Sequence, residues 1–417
     1  MKVELGFGKG KVELDVNDKN LAGVLEPNTL EIHSTGKEEV RRALGNPIGS
    51  RPLKDIVRPG EKVVIVTSDI TRPMPSGLVV PEVLEELFQA GIGKDDITVV
   101  FALGCHRKHT EEEKKVLVGE EVYSRIRCVD SDMQDCIHLG TTSNGTPVDI
   151  FAAVAQADRR ICLGNIEFHY FAGYSGGAKA IMPGVSNRAA IQANHSKMVR
   201  DEAKAGEMKG NPVRTDIEEV MDFVPIDFIL NVVLDEKKNV IKAVAGHPLE
   251  AHRAGCDFLD RLYKVRIRER ADIVVVSAGG YPKDINLYQA QKALDNSKHA
   301  VRDGGIILLV ASCKEGFGEE VFEQWIRRSK APEELTEEIQ RNFELGGHKA
   351  AAIAMVLKKC RIYIISELEE ELVRKTYMEP YRDLQKALED AMAVLGEDSR
   401  VLVMPYGGST LPCTSIC

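Results

Sequence analysis

The chain has 417 residues, 43% apolar and 29% charged, with a formal net charge of −9 at pH 7. That length exceeds one ordinary hydrophobic core, so two domains are expected. The acidic balance and the lack of any Lys/Arg run argue against a nucleic-acid partner, and apolar runs such as IILLVA at 306–311 are too short to cross a bilayer.

The N-terminal stretch MKVELGFGKGKVELDV alternates polar and apolar residues, so it reads as a hairpin over 2–16 with a turn at Lys9-Gly10, not as a signal peptide. A helical pattern follows near 37–45. EKVVIVT (61–67) predicts a buried strand ending at Ser68-Asp69-Ile70-Thr71-Arg72-Pro73, and VVPEVLEELFQAG (79–91) predicts a helix stopped by Gly91. ITVVFAL (97–103) is a second strand, ending at Gly104-Cys105-His106-Arg107. Thr110 with Glu113 three residues later marks a capped helix start. RRICL (159–163) is the next strand and runs into a glycine-rich stretch. Beyond His195 a polar helical segment is expected to about Gly210, then a hairpin over 228–246 and a helix over 248–264. The basic joint VRIRER sets the domain boundary at 266/267, giving domains 1–266 and 267–417.

The second half alternates strands (271–277, 305–311, 360–366, 399–405) with helical patterns near 286–301, 319–345 and 382–395. Continuous apolar strands alternating with helices imply an α/β fold of mainly parallel sheets flanked by helices. The polar clusters at 68–73, 104–107, 164–179 and 278–292 each begin where an apolar strand stops. Ligands sit at the carboxyl ends of such strands, so one active site in a cleft between the domains is expected. Nine cysteines without a C-x-x-C pair suit a reducing, cytoplasmic setting.

The densest chemistry lies between Gly164 and Ser196, which holds His169, Lys179 and His195 among Gly173, Gly176, Gly177 and Gly184. Glycines let a backbone approach a ligand, a lysine beside them can bind an anion or act as a nucleophile, and the histidines can carry protons or bind a metal. The stretch is not a P-loop: Ala178 precedes Lys179 and Ala180 follows it. No G-x-G-x-x-G follows any strand, so a standard dinucleotide site is not expected, and a tight loop without a ligand accounts for the glycines alone. His106 lies directly after a strand and is the better catalytic candidate, whereas His109 reads as a surface residue. Asp69 and Arg72 suit a polar ligand, as a hydroxyl acceptor and a bidentate clamp. Tyr288, Gln289 and Lys292 fall at i, i+1 and i+4 of a helix, a pattern that on composition alone is an ordinary solvated helix end. Gly346-Gly347-His348-Lys349 reads as a helix C-cap, with His348 structural. These residues supply two proton carriers, a nucleophilic lysine, a metal-competent histidine and an anion clamp without naming a reaction.

Five motifs together add the name of a family. SDITRP (68–73), GCHR (104–107), HYFAGYSGGAK (169–179), NHS (194–196) and YQAQK (288–292) resemble, in order and spacing, the lactate racemase family of nickel-pincer-nucleotide enzymes, across essentially the whole chain. The resemblance implies a pyridinium mononucleotide whose two sulfur-bearing arms and a ring carbon hold nickel. It implies that one arm is joined to Lys179 as a thioamide and that His195 ligates the nickel. Asp69, Ile70, Thr71 and Arg72 would line the cofactor, His106 and His169 would be the acid/base pair, and Tyr288, Gln289 and Lys292, with Arg72, would hold the substrate. Separate cofactor-biosynthesis enzymes become implied partners.

The implied substrate is a 2-hydroxy acid, lactate or a relative, racemised or epimerised. Its Cα–H is poorly acidic, so hydride removal with loss of the hydroxyl proton is the easier route, and return of hydride to the other face inverts the centre. Two histidines then serve the two hydroxyl orientations. The alanines of GGHKAAAIA (346–354) lean towards a pocket not restricted to lactate. The rivals are a zinc hydrolase built on His106, His169 and His195 with Glu167 as base, and a non-catalytic cofactor-binding protein.

Overall fold

The computed structural model describes residues 1–414. A hairpin of β1 (Lys2–Phe7) and β2 (Gly10–Asp15) opens the chain, and β3 (Leu21–Val24) follows. Then come β4 (Val63–Ser68), β5 (Ile97–Ala102) and β6 (Arg127–Asp130), the hairpin β7 (Cys136–Thr141) and β8 (Pro147–Phe151), and β9 (Arg159–Asn165). Two short strands, β10 (Phe168–His169) and β11 (Gly173–Tyr174), precede β12 (Phe228–Leu234), β13 (Val240–Gly246) and β14 (Lys264–Arg266). The chain closes with β15 (Ala271–Ser277), β16 (Val301–Val310), β17 (Arg361–Ile365), β18 (Glu379–Tyr381), β19 (Val401–Met404) and β20 (Leu411–Cys413).

These elements form two compact units. One is Leu30–Leu259; the other joins Met1–Thr29 to the chain from Asp260 onward. Each is built on a six-stranded sheet. In the first the order is β13-β12-β9-β4-β5-β6, with β13 antiparallel to β12 and the other neighbours parallel. The second has order β18-β17-β16-β15-β19-β3 and is parallel throughout. Helices cover the sheets, so the central strands are buried on both faces and carry continuous Val and Ile, as in VVIV of β4 and IVVV of β15.

The units differ from the division expected at 266/267. Residues 1–29 belong with the C-terminal half because β3 extends its sheet beside β19, and because Val3, Leu5 and Leu14 of the hairpin pack on Ile273, Leu308 and Val403. The hairpin turn is Gly8-Lys9, one residue earlier than expected, since Gly8 supplies the left-handed conformation at φ +53°. His195 ends a helix, Arg188–His195, capped at its start by Asn187, where a helix after it was expected. Gly346 starts a helix, Gly347–Leu357, where a C-cap was expected. The long helical pattern near 319–345 is two helices, Glu320–Arg328 and Pro332–Arg341, because Pro332 cannot continue the first. Among the described residues no helix is long and apolar enough to cross a membrane.

Candidate active site

Three adjacent parallel strands build the site in the Leu30–Leu259 unit. β4 pairs with β5 on one side and β9 on the other, so the carboxyl ends of all three lie side by side. The chain winds from β4 to β5 and β6 in one direction and places β9 on the opposite flank. This reversal is the switch point at which α/β sheets open a ligand crevice. The loops leaving Ser68, Ala102 and Asn165 line a pocket whose wall includes Asp69, Arg72, His169 and Lys179.

The loop after β4 is held by Asp69, which is 3% exposed. Its Oδ1 accepts the Thr71 N–H at 2.7 Å and its Oδ2 accepts from His106 Nδ1 at 3.0 Å. Burial pushes the Asp69 carboxyl up, but the bond and charge of His106 and the Thr71 donors outweigh it and pull the pKa down to about 2. An ionised Asp69 fixes the His106 proton on Nδ1 and leaves the lone pair on Nε2. Thr71 Oγ1 lies 3.2 Å from the same Nδ1. Ile70 and Thr71 are exposed at the loop tip.

His109, expected at the surface, is buried and braces this loop from behind. Its Nδ1 meets Asp130 Oδ1 at 2.6 Å, and its Nε2 accepts the Ile70 N–H at 3.1 Å. Phe101 packs edge-on against the ring, with centroids 5.3 Å apart. It therefore orients the Asp69 loop through the main chain.

The loop after β9 carries His169 on β10 and folds back as β11. His169 Nδ1 accepts the Ala172 N–H at 3.2 Å, which puts the proton of the neutral ring on Nε2. His106 and His169 are thus held in opposite tautomers. Burial, then the charges of Lys179, Arg72, His195 and Arg214, drive His169 well below the usual imidazole range. Lys179 sits in the short turn Gly177–Ala180 and is depressed well below an ordinary lysine, first by burial and then by Arg214 and Arg72, with Glu167 opposing. Both shifts favour the uncharged form of the side chain. His195 is buried, with Nδ1 3.0 Å from Asn194 Oδ1 and its ring against Phe171, which also packs on His169.

Several glycines here answer to the protein's own packing as well as to the pocket. A Cβ on Gly173 (φ +77°) would lie 2.2 Å from Glu207 O, and one on Gly177 (φ +57°) 2.9 Å from the His252 ring. The turn is also tied by Asn231, whose Oδ1 accepts the Gly177 N–H at 2.8 Å. Asn231 went unnoticed in the sequence although it interrupts the apolar run FILNVVL. Arg214 was missed as well, and nothing in PVRTDIEE distinguishes it.

Tyr288, Gln289 and Lys292 lie in the other unit, at the start of the helix Leu287–Ser297, which Asn286 caps through the Gln289 N–H at 3.0 Å. Gln289 and Lys292 are exposed. Tyr288 is half-buried, with Lys349 Nζ 3.9 Å over its ring. His348 is buried and accepts the Gly346 N–H at 3.0 Å, in keeping with a structural role.

The Asp69 pairing makes stability depend on pH with a definite sign. A carboxyl depressed from an unfolded value of about 3.9 to about 2 contributes stability above pH 4 that is lost as pH falls through 2. Asp69→Asn is expected to lower stability in urea unfolding by about 2 kcal/mol at pH 7, a gap that closes between pH 4 and pH 2. A gap independent of pH would dissociate the cost from the ionised carboxylate.

Comparison with known proteins finds matches in both halves of the chain. Residues 7–206 match the lactate racemase N-terminal domain family, and residues 267–411 match the lactate racemase C-terminal domain family. The chain is 33% identical to the lactate racemase of Thermoanaerobacterium thermosaccharolyticum over 98% of both chains. It is 32% identical to that of Lactiplantibacillus plantarum over 97% of this chain and 98% of that one. The solved lactate racemase apoprotein of the first organism superposes with a TM-score of 0.88 at 32% identity, covering 99% of this chain and 100% of that one. A Thermotoga maritima protein at 18% identity and TM-score 0.60 shares the fold. With both halves matched and relatives of this identity spanning its full length, the chain belongs to the lactate racemase family and is an isomerase, a racemase.

Proposed function

We infer that this racemase inverts the hydroxyl-bearing carbon of lactate or a related 2-hydroxy acid, using a nickel-pincer nucleotide held in the β4–β5–β9 pocket. The observation that carries the reading is the convergence of Asp69, Arg72, His169 and Lys179 on that pocket, with His106 tied to Asp69. When bound, the cofactor supplies a centre that takes a hydride from the substrate carbon and returns it.

The residues fit such a group. Lys179 offers an amine whose surroundings favour its uncharged form for covalent attachment, and His195, with Nδ1 turned to Asn194, offers an imidazole nitrogen to nickel. Asp69, Ile70, Thr71 and Arg72 would line the nucleotide. Among the described residues no three His, Cys, Asp or Glu side chains are grouped to hold a metal, so the remaining nickel ligands would come from the cofactor. The zinc-hydrolase reading lacks its ligand set for the same reason. Separate biosynthetic enzymes would supply the cofactor.

His106, with Nδ1–H held by Asp69, presents a lone pair at Nε2 and takes the hydroxyl proton of one enantiomer. His169 faces the hydroxyl oxygen of the other enantiomer from Nε2. To take that proton its ring must adopt the other tautomer, with its own proton moved to Nδ1 and the Ala172 N–H contact given up. In the reverse direction the protonated ring returns the proton from Nε2. Arg72 in the pocket wall would clamp the carboxylate, and the family resemblance would give Tyr288, Gln289 and Lys292 substrate-holding roles, so the planar keto acid would keep its anchor while its carbonyl turns.

In D2O the loaded enzyme is expected to racemise one lactate enantiomer without placing deuterium at C2. Deuterium entering in step with racemisation would mean proton abstraction. His106→Ala and His169→Ala should each slow racemisation by about 10²–10⁴-fold with the cofactor still bound. Near-normal turnover in either would remove that histidine from its role. Lys292→Ala should raise KM by about tenfold or more; an unchanged KM would make it a solvated helix residue.

A further inference from the structure

Arg214 lies on the helix Pro212–Glu219, which packs on the short turn carrying Lys179, and the residue is 1% exposed. Its Nε donates to Ala172 O at 3.0 Å and its Nη2 to Tyr174 O. These carbonyls belong to the turn and the return arm of the β10–β11 hairpin, and Ala172 is also the residue whose N–H bonds His169. Nη1 makes no hydrogen bond and faces Glu218 at 3.9 Å.

Glu218 is already gripped by Arg253, at 2.8 and 2.6 Å. One carboxylate thus serves two guanidiniums, and a surplus positive charge stays in the interior. A buried, incompletely paired charge is costly, and a hairpin can be tied down without one. Arginine keeps its charge at every working pH and fixes it in a planar fork.

We propose that Arg214 is a positioning residue for the site: it ties down the Phe168–Tyr174 hairpin and places a fixed positive charge behind the turn that carries Lys179, which favours that side chain as a nucleophile in the cofactor-free protein. The charged and titratable groups acting on Lys179 are Arg214 from its helix, Arg72 from the β4 loop, and Glu167 and His169 from the β9 loop. Glu167 alone opposes the cations, and it is exposed, where solvent weakens its pull. Arg72 is in the pocket wall and has a ligand role, so Arg214 is the cation given over to this task.

The inference rests on Lys179 as the cofactor-attachment residue, yet its test needs no cofactor and reads the amine directly, so the two can fail separately. The cofactor-free protein is pulse-labelled with acetic anhydride across pH 6–11, and Lys179 acetylation is followed by peptide mass spectrometry against the exposed Lys54. Arg214→Met is expected to move the Lys179 labelling midpoint to higher pH. At any pH below the midpoint, labelling should then fall about tenfold for every pH unit by which the midpoint rises. Arg214→Lys, which keeps the charge, is expected to restore most of the reactivity, a rescue that a merely structural role would not give. Should Arg214→Met not fold, Glu218→Gln decides: it removes the shared carboxylate and should move the midpoint down. A folded Arg214→Met with the wild-type profile, or a Glu218→Gln midpoint that stays or rises, would overturn the proposal.

Discussion

Parallel pairing of β4 with β5 on one flank and β9 on the other is the constraint from which the rest of the site follows. Side-by-side carboxyl ends bring loops distant in sequence, at 68–73, 103–110 and 166–179, to one edge of one sheet. None of these loops is precise by itself. Buried polar contacts fix each one: Asp69 to Thr71 and His106, His109 to Asp130 and the Ile70 amide, Asn231 to the Gly177 amide. Removing one partner would leave a buried donor or acceptor unsatisfied, which gives each loop a single preferred conformation.

Electrostatics divides the pocket into two kinds of base. Asp69 is an ionised carboxylate whose partner, His106, has its tautomer set by that charge. His169 and Lys179 sit among cations with little compensating negative charge, and both are shifted towards the uncharged form. An amine and an imidazole biased towards their uncharged forms beside fixed positive charge suit an anionic ligand. Its carboxylate or phosphate meets the arginines, and the bases stay available for chemistry.

Much of this was legible in the sequence where local chemistry repeats a rule. The apolar strands, the capping box at Thr110 and Glu113, the hairpin at 228–246 and the placing of polar clusters at strand ends all correspond to observed elements. The motifs around Asp69, His106, Lys179 and His195 pointed to the family. What stayed hidden depends on contacts distant in sequence. His109 looks like a surface histidine until Asp130, twenty-one residues away, closes over it. Residues 1–29 look like the start of the first domain until β3 pairs with β19. Arg214 is one charged residue in a helix with others, and only its carbonyl partners, forty residues back, set it apart.

The pocket is proposed to hold a covalently attached nickel nucleotide. The most direct measurement is the intact mass of the chain co-expressed with the cofactor's biosynthetic enzymes, followed by peptide mapping. A nickel-bearing nucleotide adduct located on Lys179 is the expected result. An unmodified chain, from cells in which a control lactate racemase is loaded, would contradict it.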